Sequence, residues 1–285
     1  MSEPRIHRAK SDLPFHAAVI GFTVLFVALI IGLLAGNASF ARFEDFTKAF
    51  GDETIMAAIR LSLITCTISA LLSLLVAVPV GYVLARYRFP GRAIIDAIID
   101  VPIVLPPLVV GISLLVLFQT GVGRSLDQAT QSFFSWIGFP GIRGITYEIP
   151  AIVLAQFTVA AAFAIRTMRN TFEQIDDRPE LVALTLGARR FRVFQRVALP
   201  QAWPGTVAAF TLAWARSLGE FGPILIFAGT ARMKTEVLST TVYLNFQFGN
   251  LRGAVVASLI LISVAVIVLI ATRLLLLGGP SRGRP

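Results

Sequence analysis

With 285 residues, of which 56% are hydrophobic and only 14% charged, the chain is too apolar for a water-soluble domain, and a bilayer is the solvent it suits. The formal charge of +9 would fit a nucleic-acid binder, but the arginines stand beside long apolar runs, where membrane lipid headgroups are the nearer partner, so no nucleic acid is expected. A lone cysteine, Cys66, excludes an intramolecular disulfide, and the two histidines, His7 and His16, lack metal-ligand spacing, so no metal site is expected.

A spanning helix needs roughly 20 mostly apolar residues. Six stretches qualify, at about 17–37, 56–85, 97–118, 149–166, 203–227 and 254–275. The first is too long for the apolar run of a signal peptide and is read as a retained helix. The expected fold is therefore an all-α integral membrane protein of six transmembrane helices, forming one domain over 17–278 between tails at 1–16 and 279–285. Lysine and arginine stay on the cytoplasmic side of a bilayer. Arg86, Arg88, Arg92, Arg166, Arg169, Arg189, Arg190, Arg192 and Arg196 flank one set of span ends, whereas the other set carries fewer, such as Arg42, Lys48, Arg124 and Arg143. Both termini are then expected in the cytoplasm, with the long connection 167–200 on the same side.

Taken in order, the second external connection holds Phe133, Phe134, Trp136, Phe139 and Pro140, the aromatic composition of a lipid-interface or helix-covering segment. The third span carries Pro102, Pro106 and Pro107, which remove backbone donors and kink or break a helix. In lipid such a break is tolerated only against protein or a water-lined cavity, so Pro106 and Pro107 are placed near a transport path. Asp96 and Asp100, one turn apart at the inner end of that span, read as carboxylates paired to the neighbouring Arg86, Arg88 and Arg92 or solvated, not as a catalytic pair.

The connection between spans four and five has its own helical pattern. Asp177 and Glu180 have capping-box spacing, Pro179 suits a first turn, and Leu181, Leu184 and Thr185 share a face. Gly187 ends this helix, and a second, basic helix leads to Pro200. An apolar face on such a loop needs either a partner or the membrane surface to cover it. Phosphate-cradling loops require a glycine-rich approach to Lys-Ser or Lys-Thr; Lys10-Ser11 and Lys234-Thr235 have no such glycine. No ATP site is therefore expected in this chain.

Here the sequence resembles the permease subunits of ATP-binding-cassette (ABC) importers, whose cytoplasmic signature is Glu-Ala-Ala, three residues, Gly, nine residues, an aliphatic residue, one further residue and Leu-Pro. Ala183 takes the second alanine position, Gly187 the glycine, and Val197, Leu199 and Pro200 the ending. The chain departs from the pattern at the acid, because Leu181 occupies its position and Glu180 stands one residue early. The resemblance implies that a coupling helix, with Glu180, Ala183, Gly187, Ala188, Val197, Leu199 and Pro200, docks on a separate ATPase that binds ATP and magnesium. It also implies two ATPase copies, a second permease subunit and an extracytoplasmic solute-binding protein in a bacterial inner membrane.

The fifth span is interrupted by Arg216, Ser217, Gly219, Glu220, Phe221 and Gly222, followed by Pro223. Arg216 and Glu220 stand four apart and can pair; charges at membrane depth mark a path or gate by default, and a purely structural ion pair is the other reading. Leu218 to Gly222 and Lys234 to Thr240 look like the corresponding stretches of molybdate, tungstate and sulfate permeases. That implies a small oxyanion, molybdate or tungstate before sulfate or thiosulfate, with polyamine and ferric-iron permeases sharing the architecture. An ion-gradient-driven transporter is the alternative of a different class, but the inverted repeats of such proteins are not evident.

Overall fold

The computed structural model describes residues 13–138, 141 and 143–277, and all regular structure among them is helical. In chain order the helices are α1 (Leu13–Phe40), α2 (Phe43–Gly51), α3 (Glu53–Arg86), α4 (Arg92–Val104), α5 (Pro107–Gln119), α6 (Gly121–Trp136) and α7 (Ile149–Gln174). They continue with α8 (Arg178–Thr185), α9 (Arg190–Val193), a π-helical turn (Phe194–Ala198), α10 (Leu199–Gln201), α11 (Trp203–Leu218), α12 (Gly222–Phe227), α13 (Leu238–Gln247) and α14 (Leu251–Leu277). The chain is an integral membrane protein of the all-α class. Phe139 and Pro140, and most of both expected tails, lie outside the described residues.

Four helices, α1, α3, α7 and α14, are long and apolar enough to cross a membrane, and α4 with α5 would make a fifth if the pair is one span. That pair is bent by 112°. The cause is the Pro106-Pro107 step: neither residue has an amide hydrogen, and the proline ring disfavours helical backbone in the residue before it. Leu105 and Pro106 are accordingly extended, with ψ of 139° and 134°. The expected fifth span is likewise not continuous. Helix α11 stops at Leu218, and α12 restarts at Gly222.

The centre is built from α3, α7 and α11. Small residues on α3 (Ala70, Ser73, Ala77 and Gly81) and on α7 (Ala155, Ala160 and Ala164) are buried, which lets the two backbones approach as membrane helices do where bulky side chains are absent. Met168, Phe172, Trp214 and Leu218 fill the remaining space. A second cluster, with Val110, Ile152, Val159, Ile224 and Phe227, joins α5, α7 and α12. By contrast, no residue in the most apolar stretch of α1 is buried.

Two local expectations are corrected. The capping box of α8 does not form: Asp177 makes no side-chain cap, and Asp176 accepts from the Arg178 amide at 3.1 Å instead. Glu180 is drawn away by a guanidinium, a stronger partner than a backbone amide. Asp96 and Asp100 are arginine-paired as expected, but chiefly through α7, with Arg169 at 2.9 Å from Asp96 and Arg166 at 3.7 Å from Asp100; Arg92 stands 3.9 Å from Asp96.

Candidate functional site

The two interrupted spans meet at their interruptions. Gly222 faces Pro107, and Gly111, one turn beyond Pro107, faces Pro223, whose Cα would lie 2.9 Å from a Cβ on that glycine. Each glycine thus admits the other segment's proline. Pro106 stands at the N-cap of α5 and Pro107 at its first position, where a missing donor costs nothing.

Beside this crossing, Arg216 places Nη1 2.9 Å from Glu220 Oε2, although the carboxylate lies just past the end of α11. Glu220 is 1% exposed, whereas the Arg216 side chain is about one-third exposed. Oε2 is at ion-pair distance but lacks a hydrogen-bond alignment, and the buried Ser217 hydroxyl also lacks a hydrogen-bond partner. The Arg216 guanidinium lies 5.7 Å from the centroid of the Phe163 ring. The break itself is fixed by Ser239, whose hydroxyl donates to the Glu220 carbonyl at 2.7 Å, and by Phe221, whose ring packs on Tyr243 at 4.9 Å. A mostly apolar groove of about 390 Å³, lined by Phe221, Ser239, Tyr243 and Phe246, opens here.

Gln156, buried on α7, reaches the residue that follows Arg216. Its amide nitrogen donates to the Ser217 carbonyl at 3.2 Å and to Cys66 Sγ at 3.4 Å, while its oxygen accepts from Ser69 at 3.1 Å. One side chain therefore ties α3, α7 and α11 together next to the break.

The connection 167–200 forms a separate knob. Gly187 ends α8 with φ of +83°, a conformation glycine adopts without strain, and its amide reaches the Leu184 carbonyl at 3.0 Å. Leu181, Val182, Leu186 and Phe191 are exposed on its surface. Ala183 and Ala188 are half-buried, as are Val197 and Leu199, and Pro200 is exposed. Leu199 and Pro200 line a groove of about 680 Å³ against Leu71 and Val78 of α3. Glu180 alone of the expected docking residues turns inward; its residue exposure is 5%.

The structure brings the expected path residues Pro107 and Gly222 together, and Arg216 with Glu220. It keeps the knob residues apart from both. Sequence reasoning missed Gln156, Gly111 and Ser239, which partner residues far away in the chain, and it missed Tyr82 and Arg86, the partners of Glu180. A glutamine inside an otherwise apolar helix was the available signal for the first.

Among the described residues no cluster of histidine, cysteine or carboxylate side chains is arranged to hold a metal ion. The arrangement sets a partly exposed cation beside a buried carboxylate, where two broken helices touch.

Residues 77–277 match the family described as binding-protein-dependent transport system inner membrane component. The chain is 38% identical over 221 residues to the molybdate/tungstate transport system permease protein WtpB of Thermococcus kodakarensis, covering 78% of this chain and 80% of that one. It is 30% identical over 258 residues to the sulfate transport system permease protein CysT of Escherichia coli, covering 89% and 90%. Among solved structures, a chain of a bacterial ABC transporter involved in the import of the acidic polysaccharide alginate matches with a TM-score of 0.71 at 18% identity, covering 95% of this chain and 97% of that one. A chain of the MetNI methionine ABC transporter matches with a TM-score of 0.59 at 17% identity, covering 78% and 94%. These structural likenesses establish the fold.

Proposed function

The chain belongs to the family of binding-protein-dependent transport system inner membrane components, and on that footing we propose that it forms the path for a small oxyanion, molybdate or tungstate before sulfate or thiosulfate, in an ATP-driven importer. Six crossings with both termini in the cytoplasm put the knob on the cytoplasmic side. The break between α11 and α12, crossed by α5, is then the gate, with Arg216, Ser217, Gly219, Glu220, Phe221, Gly222, Pro106 and Pro107 around it. ATP is hydrolysed on a separate subunit, present twice, which α8 and α9 contact; a second permease subunit and a solute-binding protein complete the assembly.

The observation that carries the coupling role is the knob: a folded connection whose outer surface shows Leu181, Val182, Leu186 and Phe191 to its surroundings. Apolar side chains gathered on a solvent-side loop are unfavourable unless a partner covers them. The oxyanion follows from the named substrates of the relatives and suits a guanidinium, which donates two parallel hydrogen bonds to such a group.

The test is ATPase activity of the complex reconstituted in liposomes, with the binding protein supplied in turn with molybdate, tungstate, sulfate and thiosulfate. Stimulation by one oxyanion and not by the ligand-free binding protein is expected. Equal activity with and without every oxyanion would sink the substrate class, and a chain that retains no ATPase would sink the importer reading.

A further inference from the structure

The inward turn of Glu180 joins the knob to the end of α3. Its Oε2 accepts from the Tyr82 hydroxyl at 2.7 Å, and its Oε1 lies 3.0 Å from Arg86 Nε and 2.8 Å from Arg86 Nη2. The same Nη2 donates to the Ile175 carbonyl at 3.1 Å, so one guanidinium holds both the start of the loop and its first helix. Tyr82 is wedged edge-on against Phe172, with ring centroids 5.3 Å apart, and lies 4.8 Å from Phe194 of the π turn. Its ring is therefore fixed between α7 and the second half of the knob. On the next residues of the chain, Arg190 donates to the Tyr87 hydroxyl at 3.1 Å. Both carboxylate oxygens already accept within this chain, and the carboxylate is almost wholly buried, so a separate subunit could reach Glu180 only by displacing Tyr82 or Arg86.

We infer that Glu180, Tyr82 and Arg86 form an intrachain clasp that makes α8 move as one body with α3, so that Glu180 positions the docking helix and does not itself touch the ATPase. The inference rests on the proposed docking role of α8. Mechanically it matters because α3 is a continuous helix of 34 residues packed on α7 and α11, the helices that carry Gln156 and Arg216. A push on the knob is then delivered to the end of α3, beyond Pro79, the one place in this helix where a proline removes a backbone hydrogen bond. Without the clasp, α8 is attached only through its two flanking turns and the apolar contacts beneath it.

Two measurements on Glu180→Gln, Arg86→Gln, Tyr82→Phe and the Glu180→Gln/Arg86→Gln double variant test it. In the full chain in lipid nanodiscs, without any partner, tryptic cleavage at Arg189, Arg190, Arg192 and Arg196 should be at least about tenfold faster in Glu180→Gln, the factor that about 1.4 kcal/mol of local opening produces. The double variant should be no faster than the quicker single variant, because the two residues act as a unit. In the reconstituted complex, the variants should keep the ATPase bound while transport per ATP hydrolysed falls severalfold. Unchanged cleavage in all four variants overturns the clasp. So does loss of the ATPase from Glu180→Gln alone with Arg86→Gln unaffected, which would assign Glu180 to the partner. Failure of the importer reading looks different: the unaltered chain would hold no ATPase, while the cleavage result would still stand.

Discussion

Gly222 lies so close to Pro107 that a Cβ added to it would stand 2.7 Å from Pro107 Cβ and 3.0 Å from the Leu108 amide nitrogen. Two interruptions more than a hundred residues apart in sequence are thereby locked face to face, with rigid backbone on the receiving side. Gly219, three residues away, has nothing nearer than 3.9 Å around the same imaginary carbon.

The pair gives an internally controlled experiment. Gly222→Ala should lower stability by about 1–3 kcal/mol, the usual cost of overpacking, whereas Gly219→Ala should be close to neutral. Thermal unfolding in detergent reads the difference. Equal midpoints for the two variants would show that the crossing is loosely packed.

The Arg216–Glu220 pair is asymmetric in burial, and its two halves should respond unequally. Arg216→Gln leaves a carboxylate at 1% exposure without its counter-charge, and breaking a buried pair from that side costs about 3–5 kcal/mol. Glu220→Gln leaves a guanidinium that is partly exposed, so it should cost less. Uptake by Glu220→Gln decides between gate and brace: if transport and its coupling to ATP hydrolysis match those of the unaltered chain, the carboxylate serves only to hold the bundle.

At Gln156 the expectation concerns one side chain satisfied by two other side chains and a backbone carbonyl. Gln156→Leu removes a donor and an acceptor from a buried site and leaves the Ser217 carbonyl and Ser69 with fewer partners, a loss of about 1–3 kcal/mol. A shift in unfolding midpoint as large as that of Gly222→Ala is the predicted reading.

Leu186, at the tip of the knob, is 82% exposed and has no packing role to lose. Leu186→Glu should leave the unfolding midpoint of the isolated chain unchanged, because surface substitutions usually stay within about 0.5 kcal/mol. It should nevertheless weaken retention of the ATPase during purification. Undiminished retention would remove this face from the docking surface.

The breaks were legible because their causes are local. Proline at 106 and 107 and the Gly219–Pro223 stretch announce interrupted helices from residue type alone, as Gly187 announces the end of α8, whereas Pro102 lies inside the unbroken run of α4. What they do in space was not legible. The proline pair announces a break without its 112° angle, and the reciprocal fit of Gly111 with Pro223 is a contact between distant segments. Glu180 shows the same division. Its spacing from Asp177 suggested a cap, but an arginine 94 positions earlier won the carboxylate, and no local pattern records that competition.

The π turn at Phe194–Ala198 sets the angle at which the knob is presented. Pro200 cannot donate a hydrogen bond, and the widened turn before it, closed by the Leu199 amide on the Phe194 carbonyl, takes in one extra residue. Successive residues of an α-helix are about 100° apart around its axis, so deleting one residue between 194 and 198 would tighten the turn and swivel everything upstream by about that amount. The proposed docking face and the membrane part of the chain are thus indexed to each other like the teeth of a dial, and a partner shaped for one setting would meet the wrong side chains at the next.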